Sequence, residues 1–182
     1  MKKLLSIAFF TLCLSVNAQS SYNVYGVSNG LQNLTPTQTI TQNTHGGYAV
    51  YNNSSSGLPR LTPSQIIEAN RKGGYDIYNT SSSGLQNLTP YQTISKNIYG
   101  GYDVFENTSS GLPSLTPAQI ISSNNNGGYD VFNTNAGLPS ITPIETVSPN
   151  NFGAYDTFMN SSSGLPSLSP SETIRSTLYG GF

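Results

Sequence analysis

Apolar and aromatic residues return along the chain in two short runs, about every 27 residues. One run follows Gly-Gly and reads Tyr-x-Val-Tyr or Tyr-x-Val-Phe, as at residues 48–51 and 102–105. The other follows Gly-Leu and reads Leu-Thr-Pro-x-Gln-x-Ile, as at residues 61–67. Self-similarity of this kind predicts a repeat architecture, in which neighbouring units bury each other's apolar side chains.

The stretch after residue 18 divides into such units with no linker between them. The last five residues of a unit vary from copy to copy and lead into the next Gly-Gly. We therefore predict one repeat domain over residues 19–182. Its units are residues 19–45, 46–72, 73–99, 100–126, 127–152 and 153–179, and residues 180–182 form a closing stub.

The first run is predicted to be a β-strand, because aromatic and β-branched residues lie between Gly and Asn. The second run is ambiguous. Thr62, Pro63 and Gln65 match the start of a short helix with a capping box. Thr, Ile, Ser and Asn are poor helix formers, however. Gln38 and Ile40 also recur in alternation with changing residues, which is a strand signature.

We therefore favour a mainly β fold, a solenoid-like stack of six strand–turn–strand units. The alternative is an α/β solenoid with one short helix and one strand per repeat. In either fold each unit contributes about five core side chains. For the unit that begins at Gly100, the predicted core residues are Tyr102, Val104, Leu112, Leu115 and Ile120.

The N-terminus carries an export signal, which we assign to residues 1–18. Lys2 and Lys3 precede a mostly apolar run, and Val16 and Ala18 place small residues where a signal peptidase reads. The run is shorter than the roughly 20 residues that a membrane span needs, so no transmembrane span is expected after cleavage. The segment is typical of a bacterial signal peptide. We expect an extracellular, cell-surface or periplasmic protein.

Composition narrows the function classes. Only 8% of residues are charged, against about 25% in a typical soluble domain. Lys and Arg together number seven, which argues against nucleic acid as a partner. Without Lys2 and Lys3 the five remaining basic residues face eight acidic ones, a net charge of −3. So low a content of charged residues favours a protein that assembles or associates with a surface over one that stays a free monomer.

Enzyme chemistry fits the sequence badly, and we predict neither a catalytic residue nor a cofactor. His45 is the only histidine. It stands where the other units carry Lys72, Tyr99, Asn126 and Phe152, so its position varies among the units.

Two repeated positions are candidates for binding. Asp76, Asp103, Asp130 and Asp156 share one position and are candidate cation ligands, since Ca²⁺ favours several oxygens. The alternative is a solvated face whose like charges limit edge association. The second position carries an aromatic residue three after the first Tyr of each strand run, so the two rings point to opposite faces of the strand. These binding or assembly candidates are Tyr51, Tyr78, Phe105, Phe132 and Phe158.

The sequence thus predicts an exported bacterial repeat protein with a structural or interaction role at the cell surface or in the extracellular matrix. Association with like chains, end to end or edge to edge, is the expected mechanism. The alternative is a repeat module that binds a glycan or another surface polymer through the second aromatic row. The expected partners are therefore a second copy or such a polymer.

Overall fold

Over the residues that the structure describes, the chain is all-β and built from repeated pairs of strands. A computed structural model describes residues 21–177, and the predicted signal peptide and closing stub lie outside this range. The strands are β1 (Ser21–Ser28), β2 (Leu31–Gln32), β3 (Gln38–Gln42), β4 (Tyr48–Asn52), β5 (Gln65–Ala69), β6 (Tyr75–Asn79), β7 (Gln92–Lys96), β8 (Tyr102–Glu106), β9 (Gln119–Ser123), β10 (Tyr129–Asn135), β11 (Leu138–Pro139), β12 (Glu145–Pro149), β13 (Tyr155–Met159) and β14 (Glu172–Thr177).

Twelve of these strands form one antiparallel sheet that closes on itself as a barrel. Their order around the barrel is β1, β3, β4, β5, β6, β7, β8, β9, β10, β12, β13 and β14, and β14 pairs back to β1. The remaining strands, β2 and β11, pair with the ends of β1 and β10. Within a hairpin the central residues lie opposite each other, whereas between hairpins the pairing is offset, as in Tyr75↔Ile94. Such an offset inclines the strands, which closure requires.

The predicted mainly β, repetitive architecture is confirmed, but the predicted solenoid is wrong. In a solenoid each unit contacts only its neighbours and the first and last units stay apart. Here β1 and β14 pair over six residue pairs, from Ser21↔Thr177 to Gly26↔Glu172. Closure gives every barrel strand two neighbours and removes the free edges that an open sheet would expose.

The α/β alternative is also wrong for the described residues. The Thr-Pro-x-Gln-x-Ile run enters a strand rather than a helix, as in β5. The alternation of recurring and variable residues was therefore the better guide than the capping-box match.

A ring of aliphatic side chains fills the middle of the barrel. One residue near the centre of each barrel strand is at most 2% exposed. Tyrosines pack against this cluster and supply further bulk, which a barrel wider than eight strands needs. The ring consists of Val24, Ile40, Val50, Ile67, Ile77, Ile94, Val104, Ile121, Val131, Val147, Thr157 and Ile174.

The predicted core of the unit at Gly100 is right in part. Val104 is buried, and Tyr102 packs against the buried cluster. Leu112 and Leu115 lie in a loop and are exposed, so their assignment to the core is wrong. Ile120 points away from the ring, and its neighbour Ile121 is the buried residue.

Thr157 is the one polar member of the ring. It is 1% exposed, and its Oγ1 has no hydrogen-bond partner among the described residues. A buried hydroxyl without a partner costs about 1–3 kcal/mol. We expect Thr157→Val to raise the free energy of unfolding by about 1 kcal/mol, measured by urea denaturation. Thr157→Ser, which keeps the hydroxyl and loses the methyl, should be less stable than the wild type. A Thr157→Val midpoint at or below that of the wild type would contradict this reading.

Tight turns close one end of the barrel, which we call the turn end. In each turn an asparagine accepts two backbone N–H bonds through Oδ1. Asn70, for example, accepts from Lys72 N and Gly74 N, both at 3.0 Å. The first Gly of the pair has a positive φ, +72° at Gly73. The unit's last five residues therefore do not all vary. Asparagine occupies one of them in five copies, at Asn43, Asn70, Asn97, Asn124 and Asn150.

The six longer connections all leave the opposite end, which we call the loop end, because the strands alternate in direction. Adjacent loops are packed against each other. A Cβ added at Gly84 would lie 2.9 Å from Thr62 Cβ in the loop of the preceding unit. The same close approach recurs at Gly57, Gly111 and Gly164, so the loops form an interlocked ring rather than six independent segments.

Candidate functional site

The repeated aspartates lie on the outer wall of the barrel, where their side chains hydrogen-bond to neighbouring strands and turns. Thr93 Oγ1 donates to Asp76 Oδ1 at 2.9 Å, and Asn70 Nδ2 donates to the same oxygen at 3.3 Å. Asn107 Nδ2 in turn donates to Thr93 Oγ1 at 3.0 Å. The result is a polar ladder that crosses three successive units.

The ladder recurs where the residue types allow it. Thr146 donates to Asp130 at 2.8 Å, and Thr173 donates to Asp156 at 2.7 Å. Two units break the pattern in different ways. Ala49 stands opposite Ile66, so the acceptor and the donor are both replaced. Asp103 stands opposite Ile120 and accepts from Asn97 instead, at 3.0 Å.

These bonds give the four candidate cation ligands a structural use. Asp76, Asp103, Asp130 and Asp156 each accept a side-chain hydrogen bond. Within residues 21–177, no three side chains of His, Cys, Asp or Glu are placed to hold a metal ion together.

The five aromatic candidates lie on the same outer wall, nearer the loop end than the aspartates. Tyr51, Tyr78, Phe105, Phe132 and Phe158 are all half-buried. Each stands opposite a residue at the second position of the preceding strand, for example Phe105 opposite Thr93. The first tyrosine of each strand run faces the inside of the barrel instead. Burial there raises the pKa of Tyr48 and Tyr75, and neighbouring tyrosines raise it further.

Tyr78 lines an open groove of about 630 Å³ on the outer wall. Glu68, Arg71, Lys72 and Asp76 line the same groove. Burial raises the pKa of the Tyr78 hydroxyl, and the nearby Asp76 and Glu68 carboxylates raise it further. An aromatic ring beside charged groups of both signs offers both a stacking surface and hydrogen-bond partners to a polar ligand.

Tyr91 adds a second unusual aromatic side chain, which sequence reasoning did not single out. It follows the loop proline in the third unit, and Gln65 Nε2 donates to its hydroxyl at 3.2 Å. Burial raises the pKa of Tyr91 well above its usual range. The ring packs against the barrel core, so its role is to fill space near the loop end.

Twelve aliphatic side chains are exposed on the six loops. Each loop carries one after its glycine and a second three residues later. The first set is 66–74% exposed, and the second set is fully exposed. The first set is Leu31, Leu58, Leu85, Leu112, Leu138 and Leu165, and the second is Leu34, Leu61, Leu88, Leu115, Ile141 and Leu168.

Sequence reasoning took two members of these sets for core residues and so missed the surface that they form. A signal was available, because the residue before the second leucine changes from copy to copy. It is Asn33, Arg60, Asn87, Ser114, Ser140 and Ser167 in turn, while the next residue is always Leu or Ile.

Comparison of the chain with protein-family models, with curated proteins and with solved structures finds no match. In the part of the chain that the structure describes, no helix has the length and hydropathy that a membrane crossing would need.

Proposed function

We propose that the chain is an exported bacterial protein with a structural or interaction role at the cell surface or in the extracellular matrix, and that it makes its contacts through the exposed aliphatic side chains of its six loops. The observation that carries the proposal is the exposure of the same two aliphatic residues on all six loops. The largest apolar patch on a typical monomer covers about 300–600 Å² and is often functional. Apolar side chains that are exposed on six adjacent loops favour a contact surface larger than such a patch.

The closed barrel changes the mechanism that we favour. Edge-to-edge pairing needs a strand with unpaired backbone groups. Each of the twelve barrel strands already has two neighbours. Association through the exposed side chains of the loops therefore fits this protein better than association through strand edges.

We test this role with a triple substitution, Leu61→Asn, Leu88→Asn and Leu115→Asn. These side chains are fully exposed, so the barrel should fold unchanged. Fractionation of producing cells should find the tagged wild type on the cell surface or in the matrix, and the variant released to the medium. The matched control changes Ser55, Ser82 and Ser109, which are exposed in the same loops, to Ala. Equal retention of the variant and the wild type would remove the proposal.

A second candidate function, binding of a surface glycan, is favoured by the groove at Tyr78. Sugar rings pack on aromatic side chains, and carboxylate and guanidinium groups beside the ring supply hydrogen bonds. We expect Tyr78→Ala to lose most of its retention on cell-wall or matrix polysaccharide in a pull-down. Tyr51→Ala is the control, because Tyr51 shares the repeat position without lining that groove. Equal retention of the Tyr78→Ala variant and the wild type would exclude this candidate.

A further inference from the structure

We propose that the outer wall carries a row of equivalent grooves, at the junctions between neighbouring strand pairs, and that these grooves together bind an uncharged, hydroxyl-rich polysaccharide. The inference rests on the second candidate function, glycan binding, and extends it from one groove to several. The first groove is the one at Tyr78. The second groove lies at Asp156, and the third lies at Asn23.

The three grooves have the same floor. Each floor contains a threonine and the residue directly opposite it on the adjoining strand. In each pair the threonine Oγ1 donates a hydrogen bond to the side-chain oxygen opposite. One repeat position therefore supplies the donor of every floor, and a second position supplies the acceptor. The pairs are Thr93–Asp76 at 2.9 Å, Thr173–Asp156 at 2.7 Å and Thr39–Asn23 at 3.0 Å.

Each groove is also bordered by the loop that follows the next strand of the barrel. The loop glycine and the residue two places after it line the groove in all three cases. Floor and loop thus come from the same repeat positions each time, so the repeat itself makes the grooves equivalent. The loop residues are Gly111 and Pro113 in the first groove, Gly30 and Gln32 in the second, and Gly57 and Pro59 in the third.

An asparagine fixes the loop to the floor in the first and third grooves. Asn107 Nδ2 donates to Thr93 Oγ1 at 3.0 Å and to the carbonyl oxygen of Gly111 at 3.3 Å. Asn53 Nδ2 makes the same two bonds in the third groove, both at 3.0 Å. The two sides of these grooves are therefore held in place without a ligand, which lowers the entropic cost of binding one.

The formal charges in each groove sum to zero, and this selects an uncharged ligand. Two carboxylates and two basic side chains line the first groove. Asp156 balances Arg175 in the second groove. The described residues that line the third groove carry no charge. An acidic polymer would be attracted by an excess of Lys and Arg, which none of the three linings has.

The linings combine polar groups with rings, as a sugar requires. Tyr78 lines the first groove, and Phe152, which is 84% exposed, lines the second. A sugar ring has apolar faces for such rings and hydroxyl groups for the polar floor. A peptide bound in extended form would instead need an unpaired strand edge. Each of the twelve barrel strands already has two neighbours, so the wall offers no such edge.

The spacing of the grooves favours a polymer over a small molecule. The second and third grooves are neighbours, because only β14 and β1 lie between the strands that open them. Two strands span about 10 Å around the wall. Each groove has a volume of about 630, 380 or 360 Å³, within the range of about 300–1,000 Å³ for small-ligand sites. A chain that occupies two grooves gains affinity, because the second contact forms at high effective concentration.

The test is electrophoresis of the purified full chain in native gels that contain a soluble polysaccharide. Dextran, galactomannan and xyloglucan are the uncharged probes, and alginate is the acidic one. At least one uncharged probe should retard the wild type, and added salt should leave the retardation unchanged, since screening weakens contacts between charges. Phe152→Ala should raise the dissociation constant at least about tenfold and keep the wild-type circular dichroism spectrum. Short oligosaccharides of the same polymer should bind at more than one per barrel in calorimetry.

The control variant changes Ser55, Ser82 and Ser109 to Ala, and it should be retarded like the wild type because none of these residues lines the three grooves. If Tyr78→Ala loses retardation and Phe152→Ala keeps all of it, a single groove binds the glycan. The inference would then be wrong, whereas the glycan candidate would stand. Retardation by alginate alone, or by none of the uncharged probes, also overturns the inference, and the pull-down of Tyr78→Ala tests the candidate separately.

Discussion

Gly74→Ala should lower the free energy of unfolding by about 3 kcal/mol or more, which is a large effect for a single methyl group. A Cβ at Gly74 would lie 1.9 Å from the carbonyl oxygen of Ile94 in the next hairpin. The same oxygen accepts a hydrogen bond from Asn70 Nδ2 at 3.0 Å. The methyl group would therefore push β7 away from the turn and break this bond. Urea denaturation followed by tyrosine fluorescence measures the loss, since the chain has no tryptophan.

Two matched variants identify the cause of the loss of stability in Gly74→Ala. Gly73→Ala meets open space but requires φ near +72°, so it should cost only about 1–2 kcal/mol. Ala154 occupies in the last unit the position that Gly74 has in its own, and Ala154→Gly should cost about 0.5–1 kcal/mol. If Gly74→Ala unfolded at the same urea concentration as the wild type, the close approach between the two hairpins would be soft rather than rigid.

The strands and their buried faces were predictable, because they depend on local pattern. Residues such as Tyr102 and Val104 alternate with polar neighbours, and a period of two places them on one face of a strand. The position of Asp103 between them likewise puts its carboxylate on the other face. Its structural role there, by contrast, depends on the partner strand, because Asp103 has Ile120 opposite where Asp76 has Thr93.

Closure was not predictable from the same pattern. An open stack and a closed barrel require the same alternation within each strand, and they differ only in what β1 and β14 pair with. The assignment of two loop leucines to the core was wrong for a related reason. Leu112 and Leu115 are apolar and recur in every unit, which is what a core position looks like in a repeat. The structure separates recurrence due to packing within the chain from recurrence due to an exposed surface.

A disulfide between Asn23→Cys and Arg175→Cys should form readily and stabilise the barrel by about 5 kcal/mol. Asn23 and Arg175 are directly opposite in the β1–β14 pair. Opposite residues of antiparallel strands have Cα atoms about 4.5–5.5 Å apart, within the span that a disulfide bridges. The cross-link would close a loop of about 150 residues, and stabilisation increases with loop length. Residues 19–182 contain no cysteine, so no native thiol in that region competes.

The cross-link also tests the closed barrel directly, because it joins the first unit to the last. In a linear stack of six units the two cysteines would lie at opposite ends and would not meet within one chain. Non-reducing electrophoresis and thiol titration report the bond, and the shift in the urea midpoint after reduction reports its contribution. The control pair, Asn23→Cys with Ser122→Cys, places the second thiol on β9, far around the barrel from β1, and should stay reduced. Free thiols in the Asn23–Arg175 pair after oxidation would mean that β14 does not complete the barrel.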